Sequence, residues 1–479
     1  MKHKWVALLV IGSLLTGAGS TYTVLEWTDI KAESSESTQQ KNSEAEDTDD
    51  LDKVEKAYEL ILNNYVEKVG EEVLIEGAIQ GMLSKLDDPY SVYMDKETSK
   101  QFSETLESTF EGIGAEVSKV DGKIIIVSPF KDSPAEKAGI KPNDEILKIN
   151  GESTNGLELY EATLKIKGKK GTKVKLEIAR QGLKEPLTLE IKRDEIPQIT
   201  VHSDMKEKDG KQIGYIELTT FSENTAEEFK TELKALEQKG MDSLLIDVRG
   251  NPGGLLSSVQ EILKEFVSKA HPYVQIESRE GEKKRYFSNL AGGKDYPVAV
   301  LIDKGSASAS EILAGALQEA EGYKLIGDST FGKGTVQQAV PMGDGSNIKL
   351  TLYKWLTPNG HWIHKKGIKP DIEVQQPDIY NTHPLNVEQP LEKDMNNEKV
   401  KNAQQILDGL GLAPGRKDGY YSEQTEIAVR AFQQKYQLPL TGKIDGTTAA
   451  ALEQAAIEAM KKEENDLQLQ TALRYLSGE

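Results

Sequence analysis

Hydrophobic and polar positions follow three different patterns along the middle of the chain, and each predicts a different architecture. Between residues 51 and 105, apolar side chains recur at helical spacing, which predicts a helical arm for packing or dimerisation. Residues 106–196 contain strand-like runs separated by turn residues, which predict a β domain. From residue 197 to 376, strand-like and helical runs alternate, as is typical of an α/β core with largely parallel strands. Sites in such cores lie at the carboxyl ends of the strands.

The two ends of the chain differ from this middle part. Residues 1–27 begin with charged residues and continue into an apolar run that ends at small residues, which is typical of a secretory signal, either cleaved or kept as a membrane anchor. Residues 28–50 are acidic and polar, so we expect a disordered spacer. A linker is predicted over residues 377–397, a small helical domain over 398–460 and a tail over 461–479. The folded part is therefore expected outside the cytoplasm, either secreted or close to the outer face of the membrane.

Composition narrows the chemistry that such a chain can perform. The 479 residues include 59 basic and 78 acidic side chains, and the resulting net charge of −19 argues against nucleic acid as the main partner. The sequence has no cysteine, which excludes a disulfide scaffold, a thiolate metal site and a cysteine nucleophile, and it has six histidines. The remaining catalytic groups are hydroxyls, amines, carboxylates and the few histidines.

One serine stands where a predicted strand of the α/β core turns into a helix. Ser308 has small residues two positions away on either side, Ser306 and Ser310, as a nucleophile on a sharp strand-to-helix turn requires. Ser308 also begins a Ser-x-x-Glu capping box with Glu311, which would stabilise the helix by about 1 kcal/mol. From these residues alone the helix cap is favoured over the nucleophile, and both interpretations remain open.

A serine nucleophile needs a base, and the candidate is a lysine. None of the histidines lies in a motif with a carboxylate. Lys333 lies in a stretch that nearly spells a P-loop, but Gly334 stands where the magnesium-binding hydroxyl belongs, so nucleotide binding is not expected. If Lys333 is buried, its lowered pKa suits it to accept the serine proton, and Gln337 on the same face is placed to orient it. If Lys333 is exposed, it is only a surface charge, and the sequence leaves both interpretations open.

Two further segments carry residues of chemical interest. The loop 247–254 is rich in glycine and lies between a strand and a helix, so its N–H groups either bind an oxyanion or simply make a turn. The segment 128–131 matches a Ser-x-x-Lys pattern but lies in the β domain, without the companion motifs of penicillin-binding enzymes. We interpret this second match as chance.

The β domain has a recognisable order of elements. Residues 132–151 read as a short capped helix, then an alternating strand, then an Asn-Gly turn. This order resembles a PDZ domain, whose carboxylate-binding loop would consist of Gly112, Ile113, Gly114 and Ala115. In that fold, N–H groups of the loop bind the terminal carboxylate of a peptide, and the peptide adds a strand to the sheet edge. The alternative is that these glycines only make a tight turn.

Taken as a whole, the chain resembles the carboxyl-terminal processing serine peptidases, or tail-specific proteases. Besides the PDZ-like domain, the resemblance is carried, in the family's order, by AIQGMLSKLDDPYSVYM, LLIDVRGNPGGLL, GSASASEILAGALQ, GDSTFGKGTVQ and TPNGHWIHKKGIKPDI. It implies that Ser308 is the nucleophile, that Lys333 is the general base and that Gln337 orients this lysine. It also implies an oxyanion hole formed by the backbone N–H groups of Gly254 and Ala309.

The resemblance further implies a multidomain α/β fold with a helical N-terminal arm, a PDZ-like domain inserted before a serine-peptidase core, and a small C-terminal three-helix domain. The implied activity is cleavage of proteins with flexible C-terminal tails through an acyl-enzyme, without metal, nucleotide or other cofactor. The PDZ-like domain would gate the site, and Lys167 is a candidate charge for that coupling. Related enzymes act on membrane-associated regulatory proteins, including in sporulation signalling. The competing interpretation is a catalytically inactive scaffold that binds peptides and cell wall.

The small C-terminal domain has a resemblance of its own. The stretches VKNAQQILDGLGL and DGYYSEQTEIAVRAFQQKYQLPLTGKIDGTTAAAL are similar to a three-helix peptidoglycan-binding domain. Retention at the cell wall and service as a dimerisation or packing module are both open, and a homodimer is expected. A further hypothesis is that the tail at residues 467–476 straps a partner subunit.

Overall fold

The computed structural model describes residues 49–120, 122–180, 183 and 185–478. The predicted signal or anchor and nearly all of the predicted acidic spacer lie outside these residues. Within the described part, no helix is both long enough and apolar enough to cross a membrane. The fold class expected from the sequence, an α/β protein with several domains, is confirmed.

The N-terminal arm is helical, as predicted, but the apolar side chains of its first two helices are mostly exposed. Its elements are α1 (Asp49–Asn64), α2 (Glu71–Ser84), β1 (Val92–Met94) and α3 (Lys96–Leu106). The exposed large apolar side chains of α1 and α2 are Leu51, Val54, Leu60, Ile61, Val73, Ile75 and Met82. Helix α3 begins where the Asp95 carboxylate accepts the Thr98 N–H at 2.7 Å. It is anchored to the core, because Phe102 and Leu106 pack against Leu255, whereas α2 has no buried residue.

The PDZ-like domain is a β domain with two short helices. Its strands are β2 (Thr109–Gly112), β3 (Ala115–Val120), β4 (Lys123–Pro129), β5 (Glu145–Ile149), β6 (Glu152–Ser153), β7 (Lys173–Ala179), β8 (Leu187–Lys192) and β9 (Asp194–Pro197), and its helices are α4 (Pro134–Lys137) and α5 (Leu159–Ile166). The main sheet has the order β3-β4-β5-β7-β8, and β2 pairs with β9. The Asn-Gly turn forms between β5 and β6, where Asn150 and Gly151 have positive φ angles of 53° and 89°.

The α/β core is built on a six-stranded sheet. Its elements are β10 (Val201–Lys208), β11 (Lys211–Leu218), α6 (Thr225–Gln238), β12 (Ser243–Asp247), α7 (Leu256–Leu263), β15 (Val298–Ile302), α8 (Ala309–Glu321), β16 (Lys324–Gly327) and β19 (Ile372–Glu373). The strand order is β10-β11-β12-β15-β16-β19, and all neighbours except β10 and β11 are parallel. Every residue of β12 and β15 is buried, which explains the apolar sequence of β15 and of the middle of β12.

A second, antiparallel sheet was not expected from the sequence. Its strands are β13 (Pro272–Glu277), β14 (Lys283–Phe287), β17 (Thr335–Pro341) and β18 (Asn347–Leu356), together with β1 of the arm. The order is β1-β18-β13-β14, and β17 pairs with β18. This sheet matters for function because the predicted base, Lys333, lies two residues before β17.

The C-terminal part contains the predicted three helices and one more. The elements are the short 3₁₀ turns Asp378–Asn381 and Glu463–Asn465, α9 (Glu398–Gly409), α10 (Glu423–Lys435), α11 (Gly446–Met460) and α12 (Leu467–Ser477). Helix α12 packs Leu469, Leu473 and Leu476 against the sheet of the α/β core, opposite the helices α6 to α8. The hypothesis that this segment straps a partner subunit stays a prediction; within the described chain its apolar face covers the sheet of the core.

Candidate active site

Ser308 lies on a strained turn between β15 and α8. Its backbone has φ 54° and ψ −111°, in a region that costs a non-glycine residue about 1–3 kcal/mol. The turn is held by the Asp303 carboxylate, which accepts the N–H of Gly305 at 2.9 Å. Ser308 itself is only 4% exposed. The geometry fits a side chain presented at a sharp strand-to-helix turn, as the spacing of small residues predicted.

The two flanking serines explain why small polar residues stand there. Ser306 Oγ donates to the carbonyl of Val248 at 2.7 Å, and Ser310 Oγ donates to the carbonyl of Asn251 at 2.9 Å. Both serines are completely buried. They therefore bind the glycine-rich loop 247–254 to the Ser308 turn.

The glycines of that loop leave no room for side chains. A Cβ atom on Gly253 would lie 2.8 Å from Ser308 Cβ and 3.0 Å from the Ala309 nitrogen, and one on Gly254 would lie 2.0 Å from the Phe221 carbonyl oxygen. Among the described residues, the backbone N–H groups of Gly254 and Ala309 have no hydrogen-bond acceptor. The structure thus brings the two predicted oxyanion donors close to Ser308 and leaves both unoccupied by protein acceptors.

Glu311 connects the serine to the lysine, a role that the sequence reasoning missed. Its buried carboxylate accepts the Ser308 N–H at 2.9 Å, the Lys333 N–H at 2.7 Å, the Gly332 N–H at 2.7 Å and the Thr330 hydroxyl at 2.6 Å. Burial raises the pKa of Glu311, while these four donors oppose the rise. The capping-box pattern indicated only the bond to Ser308, because the other donors lie in a distant loop.

Lys333 is a buried amine. Its side chain is 1% exposed, its Nζ lies 4.9 Å from the centre of the Tyr90 ring, and it has no hydrogen-bond partner among the described residues. Burial, reinforced by the nearby ammonium of Lys349, lowers the pKa of Lys333 to about 7, although Glu311 and Asp88 act in the opposite direction. The interpretation of Lys333 as an exposed surface charge is therefore wrong.

Two tryptophans hold the backbone on which Lys333 is carried. Trp355 Nε1 donates to the Lys333 carbonyl at 2.8 Å, and Trp362 Nε1 donates to the Gly334 carbonyl at 2.7 Å. A side chain at Gly334 would lie 2.8 Å from the His364 nitrogen. Strand β17 follows directly, so the near match to a P-loop lacks the helix on which phosphate binding depends.

Gln337 is buried near this loop but does not contact the lysine amine. Its Nε2 donates to Thr335 Oγ1 at 2.9 Å and to Thr351 Oγ1 at 3.1 Å. The expected hydrogen bond from Gln337 to Lys333 is not formed, nor is one between Lys333 and Ser308. The structure collects the three residues in one buried region without linking their side chains.

A second lysine, Lys349, was not singled out from the sequence. It lies on β18, is 2% exposed, and its Nζ lies 4.8 Å from the centre of the Phe102 ring. Burial lowers its pKa to about 8, and Asp88 partly opposes this. On β18, Lys349 is on the same face as Thr351, the partner of Gln337.

The predicted tail-binding loop lies at the edge of the PDZ-like sheet, far along the chain from Ser308. Ile113 is buried, and Gly114 has φ 72° with Ser133 so close that a Cβ would lie 2.5 Å from it. Gly112 ends β2 and Ala115 begins β3. The N–H groups of residues 113 and 114 have no acceptor within the described part of the chain. These free donors suit a carboxylate.

Lys167 joins the PDZ-like domain to the arm. Its Nζ lies 3.3 Å from a carboxylate oxygen of Glu104 on α3 and 5.3 Å from the centre of the Phe110 ring. It does not reach the region of Ser308 through any direct contact. As for metals, the described residues contain no group of three or more His, Asp or Glu placed to hold an ion.

Four segments of the chain match known protein families. The chain matches the profile of peptidase family S41 over residues 212–374 and that of a PDZ domain over 112–192. It also matches a CtpB N-terminal domain over residues 14–98 and a peptidoglycan binding domain over 396–452.

Several curated proteins are similar to most of the chain. The carboxy-terminal processing protease CtpB of Bacillus subtilis is 59% identical, with 99% of each chain covered. The protease CtpA of the same organism is 45% identical, with 90% of this chain and 91% of that one covered. A probable CtpA-like serine protease of Staphylococcus haemolyticus is 38% identical, with 87% and 84% covered. The chain therefore belongs to peptidase family S41 and is a carboxy-terminal processing serine protease with a PDZ domain.

Proposed function

We propose that Ser308 is the nucleophile of this protease and that Lys333 is its general base. The observation that carries the proposal is the buried, unpartnered amine of Lys333, whose pKa is lowered to about 7. A large fraction of such an amine is neutral at neutral pH and can accept the proton of a serine hydroxyl. Glu311 supports the pairing, because its carboxylate binds the backbone N–H of both residues.

In the proposed reaction, Ser308 Oγ attacks the carbonyl carbon of the scissile bond while the Lys333 amine takes the hydroxyl proton. The N–H groups of Gly254 and Ala309 stabilise the oxyanion, and each such donor contributes about 2.7–4 kcal/mol. The Lys333 ammonium then gives its proton to the leaving amine, and an acyl-enzyme remains. Water that loses a proton to the same amine hydrolyses the ester and restores the serine.

The described arrangement corresponds, in this proposal, to a resting form. The Lys333 amine lies over Tyr90 and is hydrogen-bonded neither to Ser308 nor to Gln337. Catalysis therefore requires the amine to move toward Ser308, and the Gln337 amide to turn from Thr351 so that its oxygen accepts from the ammonium. The backbone at Ser308 and Lys333 is already bound to Glu311, so in this proposal the switch is a movement of side chains.

Binding of a substrate tail is the proposed trigger. The free C-terminal carboxylate would bind the N–H groups of the loop 112–115, and the tail would extend the PDZ-like sheet. Lys167 is placed to report this binding, because its pair with Glu104 on α3 is partly exposed and is therefore weak, about 1 kcal/mol or less. Lys167→Ala is expected to abolish stimulation by tail peptides. Unchanged stimulation would remove Lys167 from the mechanism.

We further propose that the protease acts outside the cytoplasm on a membrane-associated regulatory protein, as in sporulation signalling. The charged and apolar N-terminal sequence supports this location. The exposed apolar faces of α1 and α2 fit a homodimer contact, since large apolar side chains are rarely left in water without a partner surface. The C-terminal domain would bind peptidoglycan or contribute to the same dimer.

The direct test uses an unfolded protein with a free C-terminus as substrate. Wild type, Ser308→Ala and Lys333→Ala are compared, with Ser203→Ala as a matched control at an exposed serine. We expect cleavage by wild type and Ser203→Ala alone. Cleavage by Ser308→Ala would exclude the nucleophile, and cleavage by Lys333→Ala would exclude the base. A wild type as inactive as Ser308→Ala would favour the scaffold interpretation.

A further inference from the structure

The glycine-rich loop is tied to the far end of the chain by an arginine. Arg249 lies two residues after the end of β12 in this loop, and its guanidinium points to the N-terminus of α12. Nη1 lies 2.9 Å from Asp466 Oδ1 and 3.2 Å from Gln468 Oε1, and Nη2 lies 2.9 Å from Asp466 Oδ2. A pair of parallel bonds to one carboxylate fixes orientation as well as distance.

The other side of the same guanidinium is held by the strand. Asp247, the last residue of β12, accepts from Arg249 Nε at 3.0 Å and from Nη2 at 2.7 Å, and it receives the Tyr215 hydroxyl at 2.9 Å. The three side chains of this ion-pair group are largely buried. The two carboxylates outweigh the cost of burial and raise the pKa of Arg249, so the guanidinium stays charged.

Asp466 is itself fixed by the fold. It caps α12 by accepting the Leu469 N–H at 2.9 Å, and it accepts from Gln376 Nε2 at 2.6 Å. The helix behind it is seated on the core sheet by its apolar face. The position of Asp466 therefore depends on α12, the helix that follows the peptidoglycan-binding-like domain.

The loop between Arg249 and the predicted oxyanion donor Gly254 is held from the Ser308 side by contacts of its backbone, among them the Gly250 N–H, which donates to Asp303 Oδ1 at 2.8 Å, and the Gly253 carbonyl, which accepts the Phe221 N–H at 2.9 Å. On the serine side, Asn251 Nδ2 donates to the Leu218 carbonyl at 2.7 Å, and Asn251 Oδ1 accepts the Gly253 N–H at 2.8 Å. The three glycines of this stretch have no side chains to hold it. Arg249 adds to these contacts the ion pair that joins the loop to the N-terminus of α12.

We propose that Arg249 and Asp466 are positioning residues, through which the C-terminal helix α12 holds the Gly254 N–H in place for the oxyanion. The inference rests on the proposed function of Ser308. It means that the catalytic site is completed by residues that lie beyond the peptidoglycan-binding-like domain in the sequence. Loss of the ion pair leaves the substrate bound but misplaces a donor needed only in the transition state, so it lowers kcat rather than raising KM.

The test removes the ion pair between Arg249 and Asp466 while it keeps a capping side chain at the N-terminus of α12. Asp466→Ser retains a good N-cap but is too short to reach Arg249. Asp445→Ser makes the same exchange at the N-cap of α11, where the Asp445 carboxylate accepts the Thr448 N–H at 2.8 Å and no other donor among the described residues. Steady-state cleavage is measured together with inhibition by a peptide boronic acid, whose tetrahedral adduct with serine occupies the oxyanion hole.

Asp466→Ser is expected to lower kcat by about tenfold or more, a fraction of what complete loss of an oxyanion donor costs. Its KM should stay within about twofold of wild type, and its affinity for the boronic acid should fall in parallel with kcat. Asp445→Ser should behave as wild type. An unchanged kcat, an effect confined to KM, or an equal loss in Asp445→Ser would overturn the inference.

A folding control and a second variant separate the remaining outcomes. If Asp466→Ser does not give the circular dichroism spectrum of wild type, Arg249→Lys decides by the same readouts, because it keeps the charge but loses the paired geometry. Wild-type kcat and boronate affinity in Arg249→Lys would again overturn the inference. A wild type that neither cleaves nor binds the boronic acid would overturn the proposed function, and this inference with it.

Discussion

Replacing Lys333 by methionine is expected to stabilise the protein at neutral pH. The side chain is 1% exposed and its amine has no hydrogen-bond partner among the described residues, so folding must either strip its proton or bury a charge. Methionine occupies a similar volume without that requirement. The same substitution removes the proposed base, so gained stability and lost activity should appear together.

The magnitude follows from the pKa of Lys333, which burial lowers from 10.5 to about 7. Below pH 10.5 the unfolded chain binds a proton that the folded chain does not, so the stability of wild type falls as the pH falls toward 7. Relative to a neutral side chain, Lys333 destabilises the fold by roughly 4 kcal/mol at pH 7 and by roughly 1 kcal/mol at pH 10.

Urea unfolding measures this difference when autolysis is prevented by the Ser308→Ala background. Tryptophan fluorescence is a suitable signal, since Trp355 and Trp362 contact the Lys333 loop. Lys333→Met should exceed its parent by a margin that shrinks from pH 7 to pH 10, while Lys366→Met, at an exposed lysine, should show no such trend. A margin independent of pH, or destabilisation by Lys333→Met at pH 7, would refute the reasoning.

Three further substitutions test the surroundings of the pair. Lys349→Met is expected to raise the pKa of Lys333 and to move the acid limb of the pH profile of kcat/KM to higher pH, whereas Lys349→Arg should leave that limb in place. An unmoved acid limb in Lys349→Met would contradict the effect of the Lys349 charge on Lys333. Glu311→Gln is expected to lower the free energy of unfolding by about 2–4 kcal/mol and kcat by at least about tenfold, because an amide cannot accept four donors. Wild-type values in urea unfolding and in kinetics would count against the role of Glu311 in connecting Ser308 to Lys333. Gly253→Ala is expected to abolish cleavage, because its Cβ would lie 2.8 Å from Ser308 Cβ. Binding of a tail peptide, measured by fluorescence anisotropy, should persist. Normal cleavage by this variant would exclude the close approach of the two residues.

Local patterns predicted the elements that depend on local sequence. The buried strand β15, the turn at Ser308 and the helix α8 follow one another in the sequence, so the small residues around Ser308 indicated a sharp turn, although from them alone a plain helix cap was favoured. The short helix α4 is capped as expected, since Ser133 accepts the Glu136 N–H at 3.2 Å. In each case the partners of the contact are neighbours along the chain.

Contacts between distant segments could not be predicted in the same way. Lys349 alternates with apolar residues on β18, and its burial becomes evident only when β1 and α3 pack against that strand. Three of the four donors to Glu311 come from the loop 330–333, which no pattern at Ser308 reveals. Helix α12 likewise reads as a free amphipathic tail until the sheet that it covers is known.

The central claim is that Ser308 is activated by the neutral amine of Lys333, and covalent labelling tests it most directly. A fluorophosphonate reacts with an activated serine, and mass spectrometry locates the adduct while its rate of formation is followed against pH. With a tail peptide present as the proposed trigger, we predict a single adduct on Ser308, a rate that rises as the pH increases through about 7, and no labelling of Lys333→Ala. An adduct on another serine, or undiminished labelling of Lys333→Ala, would contradict the account.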